Sequence, residues 1–384
     1  MKQDWEIKKL GEVCDKLTDG SHNPPQGVLH SEYEMLSSQN VFNDKINHNA
    51  VRFLSYDDFI KEDKRTSVRD GDVLLTIVGT IGRCAVFTGS KNITLQRSVA
   101  VVRPKENILS RFLMYCLIGK SALLNEGAHG IAQKGLYLRQ LGNILVPVPP
   151  REEQERIVAE LDCLSGVIEK KREQLRELDA LAQSIFYQMF GDPITNEKGW
   201  DILSFNEVAD VVGGSTPKTN IEEYWNGDNY WATPAELHGE RYIYSTERSI
   251  TDDAVNKTHL TLLPIGTVLL SSRAPIGKVC ITRVPMYCNQ GFKNIICSDR
   301  LHCEYVYQFL FEKTEYLNSL GTGATFKEIS KRVVEQITIP VPPMQLQQEF
   351  ADKIEAIEKQ KELIKKSITQ TEELFNSRMS YYFN

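Results

Sequence analysis

The chain lacks most of the short signatures that mark a self-contained enzyme or a metal protein. Its eight cysteines form no CxxC and its seven histidines no HExxH, which argues against structural zinc and zinc-dependent hydrolysis. No stretch approaches the roughly 20 uncharged apolar residues that cross a bilayer. The opening MKQDWEIKKL carries charges where a signal peptide has its apolar core. We read a cytoplasmic chain with no membrane span and with reduced, unpaired thiols. Strong basicity is missing too. The formal charge is −6, and the pieces 1–150, 151–190, 191–343 and 344–384, cut at boundaries argued below, carry +3, −3, −5 and −1. A protein that binds nucleic acid tightly by itself usually shows a basic surface, because neutralising phosphates supplies most non-specific affinity. If this chain binds DNA, partners supply much of the positive charge.

What is present is ordinary globular composition, 41% hydrophobic and 25% charged, in 384 residues, enough for two or more domains. The sequence also repeats itself. Trp5-Glu6-Ile7, with Leu10, Glu12 and Val13, returns 195 residues later as Trp200-Asp201-Ile202, with Phe205, Glu207 and Val208. At the same offset Gly71-Asp72-Val73-Leu74-Leu75-Thr76 matches Gly266-Thr267-Val268-Leu269-Leu270-Ser271, and Ile81-Gly82-Arg83 matches Ile276-Gly277-Lys278. Pro147-Val148-Pro149-Pro150 with Gln154 behind it returns as Pro340-Val341-Pro342-Pro343 with Gln347, an offset of 193.

Each repeat opens with a mixed, turn-rich region. Apolar, β-branched runs at 72–78 and 84–88, and at 267–272 and 278–282, read as strand–loop–strand pairs. Shorter helices are expected at 109–119 and 302–313. The proline runs are expected to close the globular parts, since proline neither extends a ladder nor sits inside a helix. Beyond them a heptad seam runs through Ile157, Leu161, Leu164, Ile168, Lys171, Leu175, Leu178, Ala182, Ile185 and Met189, and again through Phe350, Ile354, Ile357, Lys361, Ile364, Ile368, Thr371 and Phe375. At about 1.5 Å per residue the first seam is roughly 50 Å long. The predicted fold class is α+β: two similar mixed α/β domains joined by two long helices that pair as an antiparallel coiled coil, a dumbbell with pseudo-two-fold symmetry. Lys171 and Lys361 interrupt the seams; their stems are expected to lie along it with the ammoniums in water, the other reading being a register or partner role.

Two similar heads on a fixed spacer suit a ligand with two separated sites, and duplex DNA offers grooves that recur on one face every 34–36 Å or so. The heads differ most at 14–66 and 209–260, where a reader should vary. At this point the chain resembles the specificity subunit of Type I restriction-modification enzymes. The likeness extends over essentially the whole length and rests on the Trp5 and Trp200 segments, Asp19-Gly20-Ser21-His22, Gly213-Gly214-Ser215-Thr216-Pro217, Ala274-Pro275-Ile276-Gly277 and the duplicated Val-Pro-Val-Pro-Pro runs. The resemblance implies a non-catalytic reader of a split target in double-stranded DNA. One target-recognition domain lies at 1–150 and the other at 191–343, followed by conserved helices at 151–190 and 344–384. It implies two methyltransferase (M) subunits and motor-nuclease (R) subunits as partners, which would carry S-adenosylmethionine, ATP and Mg²⁺, while this chain binds no cofactor, metal or catalytic group of its own. The rival reading is a structural adaptor whose heads bind proteins.

Catalytic patterns fall short. Asn23-Pro24-Pro25-Gln26 resembles the Asn-Pro-Pro-aromatic motif of amino-methyltransferases, but Gln26 replaces the ring that stacks on a flipped base, and no Gly-rich strand–helix turn precedes it. Gly119-Lys120-Ser121 lacks the first glycine of a phosphate loop, where Met114 stands. His302-Cys303 reads as packing. Candidate DNA contacts are side chains with paired donors and acceptors on loops. In the first head these are Thr18, Ser21, His22 and Asn23, with Arg83 after the repeated glycine turn, Arg97, and Lys134 in a Gly-rich loop. In the second they are Ser215, Thr216, Lys218 and Thr219, with Arg273, Lys278, Lys293, and Lys327 in the matching loop. Each could equally be an ordinary turn residue or a solubilising charge. Aromatics at the helix ends, Phe186, Tyr187, Phe190, Tyr381, Tyr382 and Phe383, are read as exposed side chains that could dock a methyltransferase subunit, the equal alternative for each being packing against the other helix or the adjacent head.

Overall fold

A computed structural model describes residues 5–128, 135–273, 275–321 and 327–383. The chain divides into two compact units: one takes in everything up to Arg172 together with the stretch from Lys365 onward, the other runs Glu173–Ile364. Each unit therefore holds one head and parts of both long helices, Arg151–Phe190 and Met344–Phe383.

In the first unit a four-stranded antiparallel sheet has the spatial order Cys14–Asp19, Val99–Pro104, Val73–Thr76, Cys84–Val86. The second unit repeats it as Ala209–Gly213, Lys293–Cys297, Val268–Leu270, Val279–Thr282 and adds a fifth strand, Tyr242–Ile243, parallel to the last. The expected strand–loop–strand pairs are antiparallel hairpins, and their turns coincide. The backbone N–H of Gly82 donates to Thr76 O at 2.9 Å and that of Gly277 to Ser271 O at 3.0 Å. Both glycines adopt positive φ, +92° and +91°, where an L side chain is strained. The expected short helices are Ser110–Gly119 and Cys303–Glu312.

The proline runs do something other than break strands. Pro147 and Pro340 lie inside the strands Leu145–Val148 and Thr338–Val341, each paired only with the opening strand of its unit, Glu6–Lys9 or Asp201–Ser204. A two-stranded ribbon leaves one edge free, so the missing N–H costs no ladder bond. The long helix starts one residue after the last proline, and the buried glutamine behind it is its anchor. Gln154 accepts from the Leu109 N–H at 2.8 Å and donates to Asn107 O at 2.9 Å and Pro149 O at 3.0 Å. Gln347 accepts from His302 N–H at 2.8 Å and donates to Arg300 O at 3.0 Å and Pro342 O at 2.8 Å. In each unit one side chain ties the loop before the short helix to the proline run.

Within each unit the two long helices run antiparallel, as their contacts show: Lys171 meets Ser367 and Thr371, and Glu160 meets Arg378 and Tyr382, in the first; Asp179 meets Lys361, and Phe186 and Phe190 meet Phe350, in the second. The seam lysines do not send their ammoniums to water. Lys171 Nζ lies 2.6 Å from Ser367 Oγ, 3.0 Å from Thr371 Oγ1 and 3.3 Å from Ser367 O, while Lys361 Nζ sits 2.7 Å from Asp179 and 2.8 Å from Glu358. Acceptors on the facing helix compensate each charge inside the seam, which favours the register reading.

Four of the helix-end aromatics, Phe186, Phe190, Tyr382 and Phe383, are buried, which overturns their reading as exposed docking residues in favour of the packing alternative. Phe186 and Phe190 pack on Tyr305 and Phe350, and Phe383 packs edge-on against Phe112, so the heads cover them and they belong to the cores. Only Tyr187 and Tyr381 keep substantial exposure. No helix among the described residues is long and apolar enough to cross a membrane.

Candidate nucleic-acid interface

A glycine places the candidate loop in each head. Gly20 and Gly214 stand where the chain leaves its first sheet strand and crosses the end of another segment. A Cβ at Gly20 would lie 2.0 Å from the Leu95 carbonyl oxygen, and one at Gly214 2.1 Å from that of Asn289, so only glycine permits the crossing. The next residue fixes it. Ser21 N–H donates to Leu95 O at 2.7 Å and Ser215 N–H to Cys288 O at 3.0 Å. Ser21 is itself buried, so its contribution is to hold the loop.

In the first head the loop is organised by Asp19, nearly buried. Its carboxylate lies 2.8 Å from His22 Nε2 and accepts from Arg65 Nη2, and its carbonyl accepts from Arg65 Nε at 2.9 Å. Arg65 comes from the helix Tyr56–Thr66. Asp19, His22, Arg65, Arg97 and Tyr137 line a concavity of 520 Å³; Arg97 also borders a second, of 630 Å³, lined by Ser37, Asn40, Arg52, Gln96 and Ser98. Arg97 is exposed, with no carboxylate partner among the described residues. Asn23 is exposed beside His22, and Thr18 is half-buried in its strand opposite Val101. Arg83 does not join this group. Its guanidinium lies 5.1 Å from the ring of Phe42, in the hairpin whose Lys45 reaches Glu169 of the first long helix and whose Asp44 takes Arg111 of the helix Ser110–Gly119. Lys134 lies outside the described residues.

In the second head Thr216 Oγ1 bonds Gln290, and three of the expected cations are already engaged. Glu328 takes Arg273 Nε at 3.1 Å and Lys293 Nζ at 3.4 Å, and Lys293 is only 12% exposed. Lys278 donates to Leu237 O at 2.8 Å. Lys293 and Lys278 are thus fold contacts rather than free cations. Lys218, Thr219 and Lys327 are exposed, with no side-chain partner among the described residues. Two tryptophans the sequence reading passed over carry the loop: Trp231 Nε1 donates to Ser215 O at 3.1 Å and Trp225 Nε1 to Lys218 O at 3.4 Å. Arg248 lies across them, its guanidinium carbon 3.8 Å from the Trp225 ring centre and 5.1 Å from that of Trp231. Arg65, Arg52 and Arg248 were missed because each reaches its loop through the tertiary fold. Only the wealth of tryptophan at 225–231 could have drawn attention to the second head.

Each head presents a glycine-placed loop flanked by donors and cations held at fixed positions, which suits contacts to phosphates and base edges.

A family model described as Type I restriction modification DNA specificity domain matches residues 2–179 and again 197–373. The specificity subunit of the Type I restriction enzyme MjaIX of Methanocaldococcus jannaschii is 43% identical over 180 residues; the match covers 44% of this chain and 42% of that relative, so the chain spans about two-fifths of its length. A putative MjaX specificity subunit of the same organism is 24% identical over 402 aligned positions, 96% of this chain and 90% of the relative. The crystal structure of a Type-I restriction-modification system S subunit from M. genitalium superposes with a TM-score of 0.61 over 99% of this chain and 96% of that one; at 12% identity this shows the fold alone. The chain belongs to the family of Type I restriction-modification specificity subunits, and it carries that family's DNA specificity domain twice.

Proposed function

We propose that this chain is the non-catalytic DNA-reading subunit of a cytoplasmic Type I restriction-modification enzyme. Each head reads one half of a bipartite target in double-stranded DNA. The chain also scaffolds two methyltransferase subunits and the motor-nuclease subunits, which carry S-adenosylmethionine, ATP and Mg²⁺. The observation that carries this reading is the duplicated loop. Gly20 and Gly214 place two loops by the same backbone crossing, while the side chains around them differ, an Asp19–Arg65–His22 cluster in one head and a tryptophan-borne arginine in the other. A constant frame with a variable contact set is what two different half-sites require.

Co-expression with the neighbouring methyltransferase, followed by long-read mapping of adenine methylation across the host genome, tests the proposal. A split motif that disappears when the chain is deleted is expected, and exchange of residues 14–146 should alter one half-site and leave the other. Chain-independent methylation by an assembled, active methyltransferase would favour the adaptor reading.

A further inference from the structure

Arg248 is held in a way the fold itself does not need. Its carbonyl accepts from Trp231 N–H at 3.2 Å and from Thr246 Oγ1 at 2.6 Å, which fixes its backbone. Its guanidinium rests on Trp225 and meets Trp231, rings that stand edge to face with centroids 5.1 Å apart. The same two indoles carry the carbonyls of Ser215 and Lys218, so arginine and loop share one rigid platform. Yet the residue is exposed and, unlike Arg65 or Arg273, has no carboxylate partner among the described residues. Stacking covers one face of a guanidinium and leaves the paired N–H donors of its edge free to bond another group. The first head has no such pair of tryptophans, since Trp5 is the only tryptophan before Trp200; its Arg83 meets a single ring, Phe42, at 5.1 Å.

Resting on the reading of the chain as a DNA-specificity subunit, we propose that Arg248 is a specificity-determining residue of the second head, and that its fork recognises the paired O6 and N7 acceptors of a guanine in that head's half-site. A phosphate offers two acceptors as well, but it sits on every nucleotide and carries no sequence information. A point charge satisfies a phosphate, whereas a guanine edge calls for the fork.

The experiment uses the full chain co-expressed with its methyltransferase, as wild type, Arg248→Ala and Arg248→Lys, with methylated motifs mapped genome-wide and assembly followed by co-purification. Wild type must first yield a chain-dependent split motif; without one, the reading of the chain as a DNA reader fails, whatever Arg248 does. Given that motif, both variants should lose preference for one guanine of a single half-site by about 10-fold or more, keep the other half-site unchanged and co-purify normally. Uniform weakening that lysine restores would make Arg248 a phosphate contact and overturn the proposal. An unchanged motif, or loss of co-purification in both variants, would reduce it to a structural cover for the tryptophans.

Discussion

The two units join head to long helix at equivalent positions but with opposite charge. In the first unit Arg111, the second residue of the helix Ser110–Gly119, forks between Asp44 on a head hairpin and Asp162 on the first long helix. In the second unit the matching residue, 193 positions later, is Glu304, which takes Arg241 Nη1 and Arg283 Nη2, both at 3.1 Å; Arg241 in turn reaches Glu358 on the second long helix at 3.4 Å and Gln308 at 2.6 Å. The first joint is open, with side chains 30–37% exposed; in the second Arg241 and Glu304 are 6% and 4% exposed. Asp44 and Arg241 both lie in the segments where the two heads diverge most. The stretches in which the heads differ most therefore also carry half of the latch to the long helix. A recognition segment moved between heads would bring the wrong charge to the joint.

Breaking the two latches should separate them most clearly. Glu304→Ala leaves the buried Arg241 with Glu358 at 3.4 Å and Gln308 at 2.6 Å but without its closer carboxylate, and a loss of about 3 kcal/mol is expected, the low end of the cost of breaking a buried pair. Asp162→Ala leaves Arg111 with Asp44 and with water, and about 1 kcal/mol or less is expected. Urea unfolding of the full chain reads both, and equal losses would mean that the difference in burial has no energetic weight. Next in size come the glutamine anchors, where the comparison should vanish. Gln154→Ala and Gln347→Ala each leave one buried carbonyl, one part-buried carbonyl and one part-buried N–H without that partner, for about 2 kcal/mol apiece. Unequal losses would show that one of the two superficially identical anchors is slack.

Much of this frame was legible because it is duplicated. Gln154 and Gln347, Gly82 and Gly277, and the seam positions recur in register, and a side chain that serves the fold in one copy serves it in the other. The contact sets were hidden for the opposite reason. Asp19 and Arg65 are 46 residues apart, and Arg241 and Glu304 63 apart, with no repeat to tie them. The helix-end aromatics mislead in a specific way. The heptad pattern leaves Phe186 and Phe190 off the seam and does not choose between docking and packing; the structure packs both on Phe350 of the other long helix and Tyr305 of the head. Arg273 and Lys293 were visible as cations, but Glu328, which neutralises both, shows itself only in the fold.

The smallest expected difference lies where the start of one long helix meets the end of the other in each unit. In the second unit that contact is aromatic, with Phe186 and Phe190 against Tyr305 and Phe350. In the first it includes a titrating group. Glu160 takes Arg378 and the Tyr382 hydroxyl, and the Arg378 guanidinium, aided by Tyr382, holds its carboxyl below the ordinary glutamate value. A carboxylate whose folded pKa is depressed contributes stability that is complete above its unfolded value and is lost as pH falls through the folded one. The contribution should therefore be present at neutral pH and fade below about pH 4. Because Glu160 is partly exposed, it amounts to about 0.5–1 kcal/mol. In Glu160→Gln the chain should be weaker than wild type by that amount at neutral pH, and the two should converge on acidification. A gap that persists at low pH would assign the effect to lost packing around Tyr382 and not to the charge.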